Sequence, residues 1–139
     1  MSLIWKIAEK SEVKQIQNFF KKYLDKTNSW IMNEEFLCPF WIKWAVNRGQ
    51  IVILKYKKEI VWALRFYPRK RDNMVSVYQF ALQEDFRWKL LIRKMLEKTW
   101  YKTFESSCLE ESKFNEYYRK TWWKIKNNDN NINYWILEI

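Results

Sequence analysis

A chain of 139 residues with 48% hydrophobic and 19% aromatic side chains can bury roughly two-thirds of the surface its unfolded form exposes, so intrinsic disorder is excluded and one domain spanning 1–139 is expected. The absence of histidine excludes serine–histidine and cysteine–histidine hydrolysis, imidazole base catalysis and a His-ligated metal, and no metal site is expected. The 26 Lys+Arg against 16 Asp+Glu leave a net charge of +10, a field that attracts nucleic acid, anionic cofactors or acidic proteins.

In chain order, Leu3 to Ala8 predicts a short strand, and Ser11 predicts the N-cap of a helix running from Glu12 to about Asp25. Val13, Ile16, Phe19, Phe20 and Tyr23 recur at helical spacing on that segment and define its buried face. A second helix is predicted from Asn33 to Asn47, ended by Gly49, the only glycine. The period then changes. Gln50 to Tyr56 and Glu59 to Tyr67 are β-branched and aromatic runs joined by Lys57-Lys58, and a third run, Met74 to Leu82, follows the basic turn 68–73. Three adjacent strands make a meander. Helical spacing returns at Leu90, Leu91, Met95 and Leu96. The remainder predicts a strand (Tyr101 to Ser107), a helix (Ser112 to Thr121), a strand (Trp123 to Lys126), a turn over Asn127 to Asn131 and a final strand (Ile132 to Ile139). The order β-α-α-β-β-β-α-β-α-β-β is that of an α+β protein with a mixed sheet.

Cys38 and Cys108 alone provide neither a zinc site nor a disulfide framework. With no histidine to activate it, Cys108 is expected to be an idle thiol. No apolar run approaches the roughly 18 residues of a membrane span, and Met1 to Lys6 lacks a signal-peptide pattern, so a cytoplasmic protein with no membrane partner is expected. Abundant Lys, Asn, Ile, Phe and Tyr are also what an AT-rich genome encodes, so the positive charge is either functional or a mutational bias. The basic turn Arg69-Lys70-Arg71, next to Tyr67 and Pro68, is either a nucleic-acid contact or a solvated hairpin tip. A second basic cluster comprises Arg119, Lys120, Lys124 and Lys126.

The order of elements and four local stretches resemble the GNAT acyltransferase superfamily over most of the chain. Ile4 to Ala8 with Glu12 to Ile16 is similar to its opening strand and helix, and Ile60 to Phe66 to its third strand. Phe80 to Leu96 is similar to the central strand, phosphate loop and helix, and Glu116 to Trp123 to the late helix with its tyrosine. The resemblance implies a mixed, mostly antiparallel sheet flanked by helices on both faces, with acetyl-CoA as cofactor. It implies that Phe80, Ala81 and Leu82 meet the pantetheine arm as an added strand would, and that Arg87, Trp88, Lys89, Leu90, Leu91 and Ile92 surround the pyrophosphate. It assigns Tyr118 to protonation of the departing thiolate; the alternatives are that neighbouring Tyr117 faces the cleft instead or that the tyrosine is structural. Glu84, at the end of the central strand, is either a general base for the amine or a solvated strand-end carboxylate. The implied function is transfer of an acetyl group from coenzyme A to an amine. The alternatives are a nucleic-acid-associated or phage-type DNA-modification protein of the same fold, and a non-catalytic binding module.

The stretch 87–92 departs from the family's Arg/Gln-x-x-Gly-x-Gly/Ala loop. Leu90 and Ile92 occupy the small positions, and Trp88 a third place where glycine is frequent. Backbone N–H donors survive these substitutions, while larger side chains obstruct close approach. Lys89, Arg93 and Lys94 are placed to contact phosphates directly. One glycine accompanies ten tryptophans, where a usage of roughly 7% would give about ten glycines. Trp62, Trp88, Trp100 and Trp122 stand where the resembling family tends to have glycine. Either the UGA codon, read as tryptophan or glycine in different codes, underlies several of them, or they are ordinary core aromatics.

Overall fold

The computed structural model describes residues 3–23, 38–69, 74–83, 91–97, 99 and 101–139. Among the described residues, seven strands form one sheet in the order β1-β2-β3-β4-β5-β7-β6. They are β1 (Leu3–Ile7), β2 (Ile51–Tyr56), β3 (Glu59–Arg69), β4 (Met74–Leu82), β5 (Thr103–Leu109), β6 (Lys124–Asp129) and β7 (Ile132–Glu138). Helices α1 (Val13–Tyr23) and α2 (Pro39–Asn47) connect β1 to β2; α3 (Leu91–Glu97) lies between β4 and β5, and α4 (Phe114–Lys120) between β5 and β6. All neighbouring pairs are antiparallel except β4 with β5. This is the α+β arrangement and the element order expected from the sequence.

The sheet separates two cores. On one face, Ile16, Phe19 and Phe20 of α1 and Ile42, Ala45 and Val46 of α2 pack on Ile51, Ile53, Ile60, Ala63 and Ala81. On the other, Leu96 of α3 and Phe114 and Tyr118 of α4 pack on Val52, Leu54, Trp62, Leu64, Phe80, Phe104 and Trp135. Strand β3 is buried without interruption from Ile60 to Phe66 because both its faces are covered. That explains why, apart from Arg65, it reads as a continuous apolar run rather than an alternating one.

Several expected boundaries move. Ser11 is not an N-cap: it lies inside a 3-10 turn, Lys10–Glu12, that leads into α1. The Glu12 carboxylate, not a serine hydroxyl, accepts the backbone N–H of Glu9 at 2.9 Å. The second helix starts at Pro39, whose fixed φ and missing N–H suit a first turn; residues 33–37 of the expected helix lie outside the described residues. Asn127 to Asp129 belong to β6 rather than to a loop, because pairing with β7 overrides their polar composition. Only Asn130 and Asn131 form the turn, both at positive φ (53° and 65°). Lys57 and Lys58 do the same between β2 and β3 (51° and 70°), as a two-residue hairpin turn matching the sheet's twist requires. Trp123 precedes β6 and is buried, and Cys108 lies within β5, not after it.

Glu12 ties β1, β2 and α1 together. Its carboxylate is 2.6 Å from Lys55 Nζ and 3.3 Å from Lys6 Nζ, with its side chain 6% exposed. Burial pushes its pKa up, but Lys55, the Glu9 amide and Lys6 outweigh that and hold it below the usual glutamate value of 4.5. A carboxylate depressed in the folded state contributes stability above its unfolded pKa and loses it as pH falls through the folded value. Glu12→Gln is therefore expected to cost about 3 kcal/mol at neutral pH. Urea melts from pH 7 to pH 3 should show the variant losing less stability than the wild type below about pH 4.5. Parallel pH curves would remove Glu12 from the acid response.

Candidate active site

The site is a wedge between two parallel strands. Strand β4 runs from Met74, opposite Arg69, to Leu82, opposite Trp62. It pairs with β5 only at Val75–Phe104 and Ser76–Glu105. Immediately afterwards the β3–β4 register slips: Phe66 faces Val77 while Arg65 faces Gln79, so Tyr78 is an extra residue on β4. A bulge bends its strand and increases the local twist, and here it turns β4 away from β5. Phe80, Ala81 and Leu82, assigned to the pantetheine by resemblance, keep their β3 partners but have no β5 partner across the opened side.

Ser106 is the first β5 residue beyond the paired stretch, and its Oγ lies 2.8 Å from the Tyr118 hydroxyl oxygen. Tyr118 projects from α4 into this end of the wedge, packed against Phe80 (ring centroids 6.3 Å apart), Trp123 (5.1 Å) and Trp135 (5.7 Å). Its side chain is fully buried. Burial raises its pKa well above the ordinary tyrosine value; the bond with Ser106 opposes this, and Cys108 and Tyr117 add to it. The phenol is thus a proton donor, not a phenolate, at neutral pH. Tyr117 is less buried and packs against Phe114 and the Tyr118 ring.

Behind Tyr118, Asn115 holds α4 to the sheet, a role that a lone Asn in a helical run did not reveal. Its Nδ2 donates to the carbonyls of Leu109, Glu110 and Ser112, at 2.9 to 3.0 Å. Its Oδ1 accepts from the Cys108 thiol, Asn133 Nδ2 and Trp135 Nε1. Cys108 is consequently a buried hydrogen-bonding thiol. Only the 20-residue gap to Trp135, bridged by the sheet, shows what the amide is for.

Other assigned residues lie elsewhere. Glu84, Arg87, Trp88, Lys89 and Leu90 are outside the described residues, while Leu91 and Ile92 form the first two residues of α3 rather than a preceding loop. Arg69 sits at the far end of β3, 3.6 Å from Glu105, which also binds Lys126 at 2.9 Å; Lys70 and Arg71 are outside the described residues. Trp62 is fully buried, stacked on Phe80, and Trp122 is 62% exposed at φ 72°. Trp88 and Trp100 are not described. Among the described residues, no helix is long and apolar enough to cross a membrane.

No protein-family model and no curated protein matches the sequence. Solved structures do match its fold. The chain superimposes on the PaiA N-acetyltransferase of Thermoplasma acidophilum, solved with coenzyme A, with a TM-score of 0.74 at 11% identity, covering 100% of both chains. An N-acetyltransferase of Staphylococcus aureus gives 0.73 at 9% identity over 99% of each chain. A GNAT-family acetyltransferase of Bacillus cereus gives 0.69 at 15%, covering 100% of this chain and 97% of that one. The chain therefore has the fold of the GNAT N-acetyltransferases, as its element order and motifs implied.

Proposed function

We propose that this protein is an acetyl-CoA-dependent N-acetyltransferase. The observation that carries the reading is the wedge itself: β4 leaves β5 after two residue pairs, and the buried Tyr118 hydroxyl stands at Ser106, where the strands part. The coenzyme A complex of the Thermoplasma enzyme, which shares the fold, supports acetyl-CoA as donor. The pantetheine arm lies along Phe80 to Leu82, where backbone groups turned from β3 pair with its amides. The amine nitrogen attacks the thioester carbonyl carbon, the C–S bond breaks, and the thiolate takes the Tyr118 hydroxyl proton. The amine's surplus proton passes to Glu84 as the base, and the Tyr118 phenolate regains a proton from solvent before the next turnover. Arg87 to Ile92 and the start of α3 take the pyrophosphate, with Lys89, Arg93 and Lys94 supplying charge where small residues are missing.

Acetyl-CoA at a hundredfold its Kd stabilises the fold by about 2.7 kcal/mol. In a thermal melt this raises Tm by on the order of 5–10 °C for a chain of this size. No shift at millimolar acetyl-CoA would refute the cofactor and, with it, the enzyme; a surviving salt-sensitive affinity for DNA or RNA would then favour the non-catalytic or nucleic-acid-associated alternatives.

A further inference from the structure

At the opposite end of the sheet from the wedge, the structure contains a cavity of about 780 Å³ that the acetyl-transfer reading does not use. It lies where α2 ends, β3 ends and β4 begins, so the length of β4 separates it from Phe80 to Leu82. Three aromatic side chains, Trp44, Tyr67 and Tyr101, line it together with Arg48, Arg69 and the Gln50 amide. Tyr67 and Tyr101 are 39% and 40% exposed, although both are large, partly apolar residues that burial would favour. The Arg48 guanidinium lies 3.9 Å above the Trp44 ring, so charge and aromatic face are presented together. Lys70 and Arg71 follow Arg69 directly in a chain whose net charge is +10.

Flat aromatic faces bind flat rings of any sequence, and arginines bind phosphate oxygens in pairs. A hydrophobic ligand would not need the two guanidinium groups, and a simple anion would not need the three rings. We propose that this cavity binds a nucleoside phosphate unit, its base stacked on the exposed tyrosines and its phosphate held by Arg48, with Arg69, which also pairs with Glu105 at 3.6 Å, beside it. The volume lies in the range of small-ligand sites, roughly 300–1,000 Å³. The same chemistry is offered by a free nucleotide and by one unit of a single-stranded nucleic acid. The cavity stands independently of the wedge, so failure of acetyl-CoA binding leaves it untouched.

The test titrates the full chain with a fluorescein-labelled oligo(dT) 12-mer, an oligo(U) 12-mer and free UMP at low and physiological salt. Its variants are the double substitution Tyr67→Ala with Tyr101→Ala, and Arg48→Ala, each checked for native circular dichroism. Removing the stacking platform for one base corresponds to a tenfold or greater loss of affinity in the double variant, with the salt slope retained. Arg48→Ala is expected to flatten the salt slope by about one phosphate contact. Binding of the oligonucleotides with UMP inert identifies a polymer as the source, and UMP bound as tightly as either oligomer identifies the free nucleotide. Undiminished affinity in the double variant would show that charge elsewhere does the binding and would overturn the proposal, as would the absence of binding by all three probes.

Discussion

Tyr118→Phe is expected to lower kcat for acetyl transfer at least a hundredfold while leaving KM for acetyl-CoA within about threefold. General acid catalysis by a positioned side chain contributes roughly 10²- to 10⁴-fold, and the substitution removes one oxygen from a site otherwise shaped by Phe80, Trp123 and Trp135. The structural cost is small: Ser106, 4% exposed, loses one partner, worth about 1 kcal/mol, so the variant remains folded. The pH dependence separates this role from a packing role. Because burial raises the phenol's pKa well above its ordinary value, the hydroxyl stays protonated through neutral and mildly alkaline solution. The wild-type rate should therefore not fall on the alkaline side within the normal assay range. Steady-state kinetics with a panel of primary amines tests both expectations, and a kcat within twofold of wild type would eliminate Tyr118 as the acid.

Glycine placed at two of the tryptophan positions is expected to have opposite effects. Trp62 is fully buried in β3, paired opposite Leu82 and stacked on Phe80 with rings 6.5 Å apart and 9° from parallel. Emptying that volume costs about 3–5 kcal/mol, and glycine in a strand interior adds roughly 0.5–1 kcal/mol. Against a total stability of roughly 5–15 kcal/mol, Trp62→Gly is expected to remove a large share of the stability, and at the lower end of that range nearly all of it. At Trp122 the backbone has φ 72° and the side chain is 62% exposed. A non-glycine residue in that region is strained by about 1–2 kcal/mol. The opposing term is the cation–π interaction of the indole with the Arg93 guanidinium, 5.7 Å from the ring, worth about 0.5–1 kcal/mol at an exposed site. Trp122→Gly is thus expected to raise stability by up to about 1 kcal/mol. Urea denaturation of both variants measures the two signs, and a destabilised Trp122→Gly would show that the exposed indole, not the backbone, governs that turn. The coincidence of tryptophan with expected glycine positions consequently has two physical meanings: at 122 the conformation favours glycine, and at 62 the core is built around the indole.

Much of the framework was legible in the residues because local periodicity and burial agree. The spacing of Ile16, Phe19 and Phe20 specifies the face of α1 that meets the sheet, and the unbroken apolar run from Ile60 to Leu64 signals a strand covered on both sides. Features that depend on distant partners were not legible. Ser11 has the chemistry of a cap, yet Glu12 captures the Glu9 amide because Lys6 and Lys55 are there to hold its carboxylate. Asn127 to Asp129 look like a loop until β7 supplies their pairing. The family resemblance singled out Tyr118, whereas the slip at Tyr78 beside the opening of β4 from β5 is a property of register, visible only once β3 and β4 are aligned. Asn115 escaped for the same reason, since its six partners come from two separate stretches, 108–112 and 133–135.

The two-pair junction between β4 and β5 also divides the molecule by chain order. Everything before it, β1 to β4 with α1 and α2, is contiguous in sequence, and so is everything from β5 to β7 with α4. The halves meet along a seam with two ladder pairs, the aromatic contacts of Phe80 with Phe114 and Tyr118, and the Arg69–Glu105 ion pair. Such a joint has few ladder bonds, and each half keeps its own antiparallel pairing on either side of it. The break in the hydrogen-bond ladder thus coincides with a break in chain order, and what crosses it is mainly side chains: the aromatic cluster and the Arg69–Glu105 ion pair.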